Sequence, residues 1–236
     1  MRDHDADETI EDEERSVLTA RLVLRRPRTD DAAILAAVID NPRVASDLVT
    51  VPHPYRRADA AAWIAEGRAG AGIVAHIAVS RQTGQVVGAG CHRPSATRPG
   101  GHQLSFFVAE PHWGQGFGTE IAQATVDHAF STGAVERLWC AVRVTNSRAR
   151  RVAAKCGFQF RDAGMVRSLA ARGAVPVEHF VLEHGIWRSL KAWGASSWSA
   201  SPRGANSRGA TAASHSATMK DPETRASDDD DTSHAA

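Results

Sequence analysis

The segment Phe106-Phe-Val-Ala-Glu-Pro-His-Trp-Gly-Gln-Gly-Phe-Gly-Thr119 joins a predicted strand to a predicted helix through a glycine-rich turn. Unpaired amides at the start of a helix point outward and carry the positive end of the helix dipole, so they bind phosphate well. The glycines at 114, 116 and 118 would let the backbone approach a pyrophosphate with no Cβ in the way. The segment therefore indicates a phosphate-binding turn; the alternative is a flexible turn before a packed helix.

Two other phosphate-binding motifs do not fit this turn. A P-loop would place Gly-Lys-Ser/Thr at the helix entry, whereas Gly118 is followed by Thr119-Glu120. A Rossmann fingerprint requires GxGxxG near the first strand and an acidic residue about 20 positions later. Here the spacing differs and the turn lies in the middle of the chain. Both classes are excluded.

On either side of the turn, segments with the two-residue hydrophobic period of a strand alternate with segments that have the 3.6-residue period of a helix. Strands are predicted at 22–25, 73–79, 85–90, 103–108, 138–144, 158–160 and 178–182, and helices at 30–41, 58–66, 118–131 and 147–155. Thr29 or Asp30 is expected to cap the first helix, and Thr83-Gly84 forms the turn of a hairpin. This order predicts an α/β (α+β) domain with a mixed sheet and helices on its faces.

The composition is that of an ordinary soluble protein. The 236 residues are 42% hydrophobic and 23% charged. No run approaches the roughly 18 apolar residues that a membrane span requires, and the acidic N-terminus lacks the apolar core of a secretory signal. Cys91, Cys140 and Cys156 are odd in number and never spaced as CxxC, which argues against a disulfide scaffold and a structural zinc site. We expect a cytoplasmic protein without a membrane partner.

The charge is distributed unevenly along the chain. Residues 1–14 hold eight acidic residues and one basic, and residues 194–236 hold six acidic and four basic. Residues 15–193 keep 23 basic and 13 acidic residues, which suits an anionic ligand such as a phosphorylated cofactor. Nucleic acid is not expected, because no helix carries a dense basic stripe and aromatic residues make up only 6%. The two termini, 1–14 and 194–236, are poor in large apolar residues, so we expect disordered tails around one domain at 15–193.

Three short motifs follow one another along the chain: Trp113-Gly-Gln-Gly-Phe-Gly-Thr-Glu120, Val144-Thr-Asn-Ser147 and Lys155-Cys-Gly-Phe158. Together they resemble the motifs of the GCN5-related N-acetyltransferases (GNATs). With the opening Leu18-Thr-Ala-Arg-Leu-Val-Leu-Arg25, the chain looks most like the branch of ribosomal-protein N-terminal acetyltransferases, as far as about Trp187. The resemblance implies a single domain with a mostly antiparallel sheet of six to seven strands, helices on both faces and splayed central strands.

The implied activity is transfer of an acetyl group from acetyl-CoA to a primary amine, a protein N-terminus or a small molecule, by direct attack in a ternary complex. A non-catalytic acyl-CoA-binding or regulatory module of the same fold is the alternative. Relatives are often monomers or homodimers. The implied cofactor-binding residues are Phe107, Val108, Gly114, Gln115, Gly116, Phe117, Gly118, Thr119, Asn146, Arg148 and Arg151. Within this set, Phe107 and Val108 would bind the pantetheine arm, the turn would bind the pyrophosphate, and the arginines near Asn146 would meet a 3′-phosphate.

The side chains that relatives use for proton transfer are missing. Ala141 or Gln103 stands where relatives carry a glutamate, and Ala153 stands where many carry a tyrosine. The remaining catalytic candidates are His102, Ser105 and Glu110. A strand-end histidine and a turn acid are the alternatives for the first and last of these three, and a water chain could serve as the base.

The resemblance also implies that the Pro-rich loop between the first two helices forms a wall of the acceptor site. His53 and Tyr55 from this loop, together with Gln103, are the candidate substrate-binding residues, although Tyr55 could equally anchor the loop. No metal site is expected, because no HxxxH or HxH pair sits beside an acid at ligand spacing.

Overall fold

A computed structural model of the chain describes residues 16–70 and 72–199. The strands in these ranges are β1 Val17–Leu18, β2 Leu22–Arg25, β3 Val74–Ser80, β4 Val86–Pro94, β5 His102–Val108, β6 Arg137–Arg143, β7 Gln159–Ser168 and β8 Gly173–Glu183. The helices are α1 Asp31–Ile39, α2 Pro42–Ala45, α3 Arg57–Arg68, α4 Phe117–Ser131, α5 Ser147–Lys155 and α6 His184–Ser199. A 3₁₀ turn at Glu110–His112 precedes the glycine-rich turn.

The strands form a single sheet in the order β1-β2-β3-β4-β5-β6-β8-β7. All neighbouring pairs are antiparallel except β5 and β6, which confirms the mixed, mostly antiparallel sheet. The described residues contain eight strands rather than the expected six to seven. The additional strand is β1, whose two residues Val17 and Leu18 pair with β2 and are too short to give a sequence pattern.

The two parallel strands at the centre of the sheet splay apart, as expected. Their pairing is limited to His102 with Leu138 and Gln103 with Trp139. The rest of β5 remains paired with β4 as far as Val108, while β6 follows β8. The sheet therefore opens into a V whose arms are the end of β5 and the end of β6.

Helices cover both faces of the sheet. Leu104, Val126, Leu138 and Phe158 belong to the core cluster between the sheet and helices α4 and α5. A second cluster packs α1 and α3 against the opposite face. Side chains alternate along each strand, so residues at odd positions of β5, Gln103, Ser105 and Phe107, face the α1 and α3 side.

Three parts of the chain differ from the sequence expectation. The short helix α2 follows α1 because Asn41 caps it, accepting a hydrogen bond from Arg43 N at 2.9 Å. The last two strands are long arms of a hairpin rather than short segments. Helix α6 runs from His184 through Ser199 and so enters the segment 194–236 that was expected to be disordered. Residues 1–15 and 200–236 lie outside the described residues.

Candidate active site

The V between β5 and β6 opens into a cleft with a volume of about 350 Å³. The strand β5, the glycine-rich turn, the start of α4, helix α5 and the α2 segment contribute its walls. The lining includes Phe106, Phe107, Val108, Gly114, Gly116, Phe117, Gly118, Thr119, Asn146, Arg148 and Arg151, and also Val44, Asp47, Leu48 and Lys155. Every implied cofactor-binding residue except Gln115 thus borders one cavity.

The backbone of the glycine-rich turn is left-handed at two positions. Gly114 has φ +78° and Gly116 has φ +84°, a region that disfavours residues with a Cβ. Gly116 is the N-cap of α4, so the helix starts at the cleft with its first amides unpaired by a side-chain cap. These amides and the helix dipole make this end of the cleft electropositive.

An arginine from the β1–β2 turn supports the glycine-rich turn from outside the cleft. Arg21 Nη1 donates to Gln115 O at 2.8 Å, and its Nε donates to Glu120 Oε2 at 2.8 Å. Burial alone would raise the pKa of Glu120, but hydrogen bonds from Thr19 and Arg21 lower it. The carboxylate in the first turn of α4 is therefore neutralised by Arg21 rather than directed at an incoming anion.

Three cationic side chains line the opposite wall of the cleft. Arg148, Arg151 and Lys155 project from α5 into it. Arg150 does not join them, because its Nε pairs with Glu178 Oε2 at 2.7 Å. Lys155 was not among the sequence candidates; it lies seven positions after Arg148 (148 to 155), two helical turns away on the same side of α5.

Asn146 lies at the junction of β6 and α5. Its Oδ1 accepts a hydrogen bond from Ala149 N at 2.9 Å, so the residue caps α5. Its side chain also borders the cleft. The amide nitrogen of the same side chain is left to face a ligand, so capping and ligand contact are compatible.

The backbone of Val108 is turned toward the opening of the V. Ala109 N donates to Val87 O on the β4 side at 2.9 Å, and hydrogen-bonding direction alternates along a strand. The N–H and C=O of Val108 consequently point away from β4, into the gap that β6 leaves. The carbonyl accepts from Trp113 Nε1 at 2.7 Å, which leaves the N–H of Val108 as the donor that faces the gap.

The three catalytic candidates from the sequence do not meet in this cleft. His102 shares its face of the sheet with Leu104, and its Nδ1 is 3.0 Å from His92 Nδ1. Glu110 pairs with Arg43 and accepts from Asn41 Nδ2 at 2.5 Å, so its carboxylate holds α2 against the 3₁₀ turn. Ser105 faces the α1 and α3 side of the sheet, beyond the described cleft lining.

The three substrate-binding candidates are also separate from one another. Tyr55 is buried in the cluster beneath α1 and α3, and its amide donates to Asp40 Oδ1 at 2.7 Å. Burial raises the pKa of the Tyr55 phenol to about 12. His53 lies beside the same Asp40 carboxylate, with Nδ1 at 3.5 Å. Gln103 lies at the last position of β5 that pairs with β6, opposite Trp139. The anchoring role that the sequence left open for Tyr55 fits this burial.

Residues 21–159 match the family model described as an acetyltransferase (GNAT) domain. The chain belongs to the GNAT acetyltransferase family. A comparison with curated protein sequences finds no match.

Solved structures with the GNAT fold superimpose on this chain over nearly their whole length. A spermidine N-acetyltransferase from Vibrio cholerae, in complex with CoA and spermine, has a TM-score of 0.63 at 15% identity and covers 72% of this chain and 99% of its own. A ribosomal-protein-S5-alanine acetyltransferase from Vibrio fischeri has a TM-score of 0.60 at 14% identity, covering 73% and 98%. An aminoglycoside acetyltransferase in complex with coenzyme A has a TM-score of 0.59 at 19% identity, covering 72% and 99%. At these identities the likeness shows the fold alone.

No helix among the described residues of this GNAT chain combines the length and the apolar character needed to cross a membrane. All three cysteines are buried and free of disulfide bonds. Burial raises the pKa values of Cys140 and Cys156 to about 12, so both thiols stay protonated and packed in the core near neutral pH.

A carboxylate that the sequence did not single out lies in the GNAT cleft. Asp47 follows α2 and borders the cavity together with Val44 and Leu48. Burial raises its pKa, and the positive charges of Arg143 and Arg148 act in the opposite direction. Sequence analysis missed it because it lies in an irregular segment between α1 and α3.

Four histidines gather on the α4 face of the sheet, away from the cleft. The ring centroids of His76 and His128 are 4.8 Å apart, and those of His92 and His102 are 5.3 Å apart. Burial lowers the pKa of His76 to about 3 and that of His92 to about 4, with smaller contributions from neighbouring histidines. Within the described ranges, no group of three or more His, Cys, Asp or Glu side chains is arranged to hold a metal ion.

Proposed function

We propose that this protein transfers an acetyl group from acetyl-CoA to a primary amine by direct attack in a ternary complex. The observation that carries the proposal is the single cleft between β5 and β6, where the open N-terminus of α4 faces the cations of α5. The pyrophosphate would bind the amides of Gly114 to Thr119, and Arg148, Arg151 and Lys155 would neutralise the phosphates.

The thioester would lie where the splayed strands expose backbone groups. The N–H of Val108 faces the gap, and it can donate to the acetyl carbonyl and stabilise the negative charge that develops there during attack. Bond formation between the amine nitrogen and the carbonyl carbon, and cleavage of the C–S bond, release CoA as a thiol once a proton is returned to sulfur.

The identity of the acceptor amine has to be tested separately from the identity of the cofactor. The structural neighbours include proteins named for spermidine, for aminoglycosides and for an alanine of a ribosomal protein. We therefore take spermine, an aminoglycoside and two short peptides with N-terminal serine and alanine as the first acceptors to test.

The test begins with calorimetric titration of acetyl-CoA into the full chain, with CoA that lacks the 3′-phosphate as a second titrant. We expect micromolar binding of acetyl-CoA and weaker binding without the 3′-phosphate. CoA release in the presence of each amine then measures turnover. No binding of either titrant would overturn the cofactor assignment.

A second candidate function is that of a non-catalytic acyl-CoA-binding module. It is favoured by two alanines that stand where relatives carry catalytic side chains. Ala153 is 2% exposed and packs in the core, and Ala141 carries no functional group, so neither position supplies a phenol or a carboxylate. Tight acetyl-CoA binding without CoA release from any of the four amines would favour this module over the enzyme.

A further inference from the structure

The α1 and α3 side of the sheet carries a histidine close to the opening of the V, just outside the lining of the described cleft. On β6, Leu138, Cys140 and Val142 pack into the cluster with α4 and α5. Ala141 lies between the last two and so faces the opposite side of the sheet. His179 on β8 is the cross-strand partner of Ala141 and shares this side. Since β5 has separated from β6 beyond Gln103, Ala141 borders the gap and His179 lies one strand behind it.

A carboxylate orients this histidine. His179 Nδ1 lies 2.7 Å from Asp162 Oδ1 on β7, across the register pair that the two residues form. Arg98 Nη2 donates to both oxygens of Asp162, at 2.8 and 2.9 Å. The guanidinium of Arg98 in turn stacks on Trp139 of β6, 4.6 Å from the ring centroid. The imidazole is thus held by a chain of contacts that ends on the strand bordering the gap.

This arrangement selects one tautomer of the imidazole. Desolvation alone would raise the pKa of Asp162, but hydrogen bonds from His179 and Arg98 lower it, so the residue is a carboxylate and accepts the proton of Nδ1–H. In the neutral ring the lone pair then lies on Nε2. Nε2 is on the side of the ring away from Asp162, and it makes no hydrogen bond within the described residues. The His179 side chain is 19% exposed, so solvent or a ligand can reach it.

We propose that His179 is the general base of the acetyl transfer, with Asp162 and Arg98 as the residues that position it. The inference rests on the proposed function and adds the group that deprotonates the acceptor amine, which arrives as an ammonium ion. Nε2 takes one proton from the ammonium, directly or through one water, and the freed lone pair attacks the thioester carbon. The C–N bond forms, the C–S bond breaks, and a second nitrogen proton passes through solvent to the CoA sulfur. His179 then returns its proton to solvent.

Charged groups on three elements surround the imidazole. Asp162 on β7 attracts a proton on the ring, while Arg98 from the loop before β5 and Arg143 on β6, which shares this face, repel it. The hydrogen bond to Asp162 fixes the tautomer and leaves the Nε2 lone pair available to accept a proton.

The decisive variant is His179→Asn. The asparagine amide can still donate to Asp162 from the position of Nδ1, whereas Nε2 is removed. We expect kcat/KM with the amine that the wild type acetylates fastest, among the four named above, to fall about a hundredfold at pH 7. The variant's rate should depend on pH only through the amine and rise as the free amine becomes more abundant, so its pH profile should differ from that of the wild type. The acetyl-CoA Kd from calorimetry should stay unchanged.

Two further variants separate a catalytic role from a structural one. Asp162→Asn should lower kcat and leave the acetyl-CoA Kd unchanged, because the ring loses the carboxylate that accepts from Nδ1–H and fixes the tautomer. His184→Gln is the matched control: this histidine packs on Phe130 and Trp187 and should leave the profile unchanged. A wild-type kcat/KM and pH profile in His179→Asn would overturn the base assignment while leaving the proposed function intact.

A second measurement needs no acceptor. Long-range ¹H–¹⁵N NMR of the full chain should show His179 as the Nδ1–H tautomer, and the Nε2–H tautomer would overturn the proposal. A wild type that binds acetyl-CoA but acetylates none of the four amines would instead overturn the proposed function and this base with it.

Discussion

Trp113 Nε1 donates a hydrogen bond of 2.7 Å to the carbonyl of Val108, at the point where β5 has lost its neighbour β6. Two guanidinium groups face the same indole: Arg43 lies 5.2 Å and Arg148 lies 4.8 Å from the ring centroid. The tryptophan therefore donates to a carbonyl that has no strand partner in the splayed sheet. Its ring also contacts arginines of α2 and α5 at the mouth of the cleft.

Replacing Trp113 with phenylalanine tests the contribution of this hydrogen bond. The ring volume is largely kept, whereas the N–H donor to Val108 is lost. We expect the free energy of unfolding to fall by about 1 kcal/mol and the acetyl-CoA Kd to rise severalfold, because the strand end that faces the cofactor is no longer fixed. Urea denaturation and calorimetry measure the two quantities.

Trp63→Phe is the control for tryptophan replacement as such, because Trp63 lies on α3 and packs against the other face of the sheet. It should leave the acetyl-CoA Kd unchanged. Equal effects of the two variants on that Kd would contradict a specific role for the Trp113 hydrogen bond.

Much of the fold could be predicted because it follows from local periodicity. The helix bounds Ser147 and Lys155 agree with the structure, since Asn146 provides a cap and Gly157 a left-handed stop with φ +88°. The strand β1 could not be predicted, because two residues give no alternation and only pairing with β2 identifies it.

The candidate site also contains residues that could be predicted from the sequence and residues that could not. The glycine-rich turn is contiguous in the chain, so its residues could be named from the sequence. Asp162 and His179 are 17 positions apart and meet only through the β7–β8 register, which shifts between Phe160 and Asp162. His102, which could be named from the sequence, faces the histidine group with Leu104 because strand alternation places it there.

The left-handed backbone at Gly116 makes a second prediction. Gly116→Ala should raise the acetyl-CoA Kd at least tenfold, because a Cβ at φ +84° strains the turn and meets Arg21 Nη2 at 3.4 Å, so that the turn and its amides must shift. Gly133→Ala is matched for strain, with φ +70° and open space around its Cβ position at the far end of α4. Both variants should lose about 1 kcal/mol of stability. Calorimetry should separate them, and an unchanged Kd in Gly116→Ala would refute the assignment of the turn to the pyrophosphate.

The buried histidines predict a loss of stability in acid. Burial lowers the folded-state pKa of His76 to about 3 and of His92 to about 4, below the value near 6.5 expected in the unfolded chain. Above pH 6.5 neither state binds these protons, so stability is unaffected. Between about pH 6.5 and 4 only the unfolded chain is protonated, so each histidine lowers the free energy of unfolding by about 1.4 kcal/mol per pH unit.

Urea denaturation at intervals between pH 7.5 and 5 measures this slope. His92→Phe should make the slope shallower, because one of the two histidines with the largest pKa shifts is removed. His184→Gln, a histidine on α6 outside the group, should leave it unchanged. An equally steep slope in the wild type and in His92→Phe would show that other groups control acid stability.

The carboxylate of Asp47 makes the last prediction, about the strength of cofactor binding. It borders the cleft near Arg148, where its negative charge opposes a phosphate of the incoming CoA. Asp47→Asn should therefore tighten acetyl-CoA binding by about two- to fivefold at low salt, and by less at high salt because ions screen the charge. Since burial raises the Asp47 pKa, acidification should bring the wild-type Kd toward that of the variant.

Asp30→Asn, at the exposed start of α1, is the control and should leave the acetyl-CoA Kd unchanged. Weaker binding by Asp47→Asn would mean that this carboxylate supports the cofactor site, and the placement of the phosphates beside Arg148 would have to be abandoned.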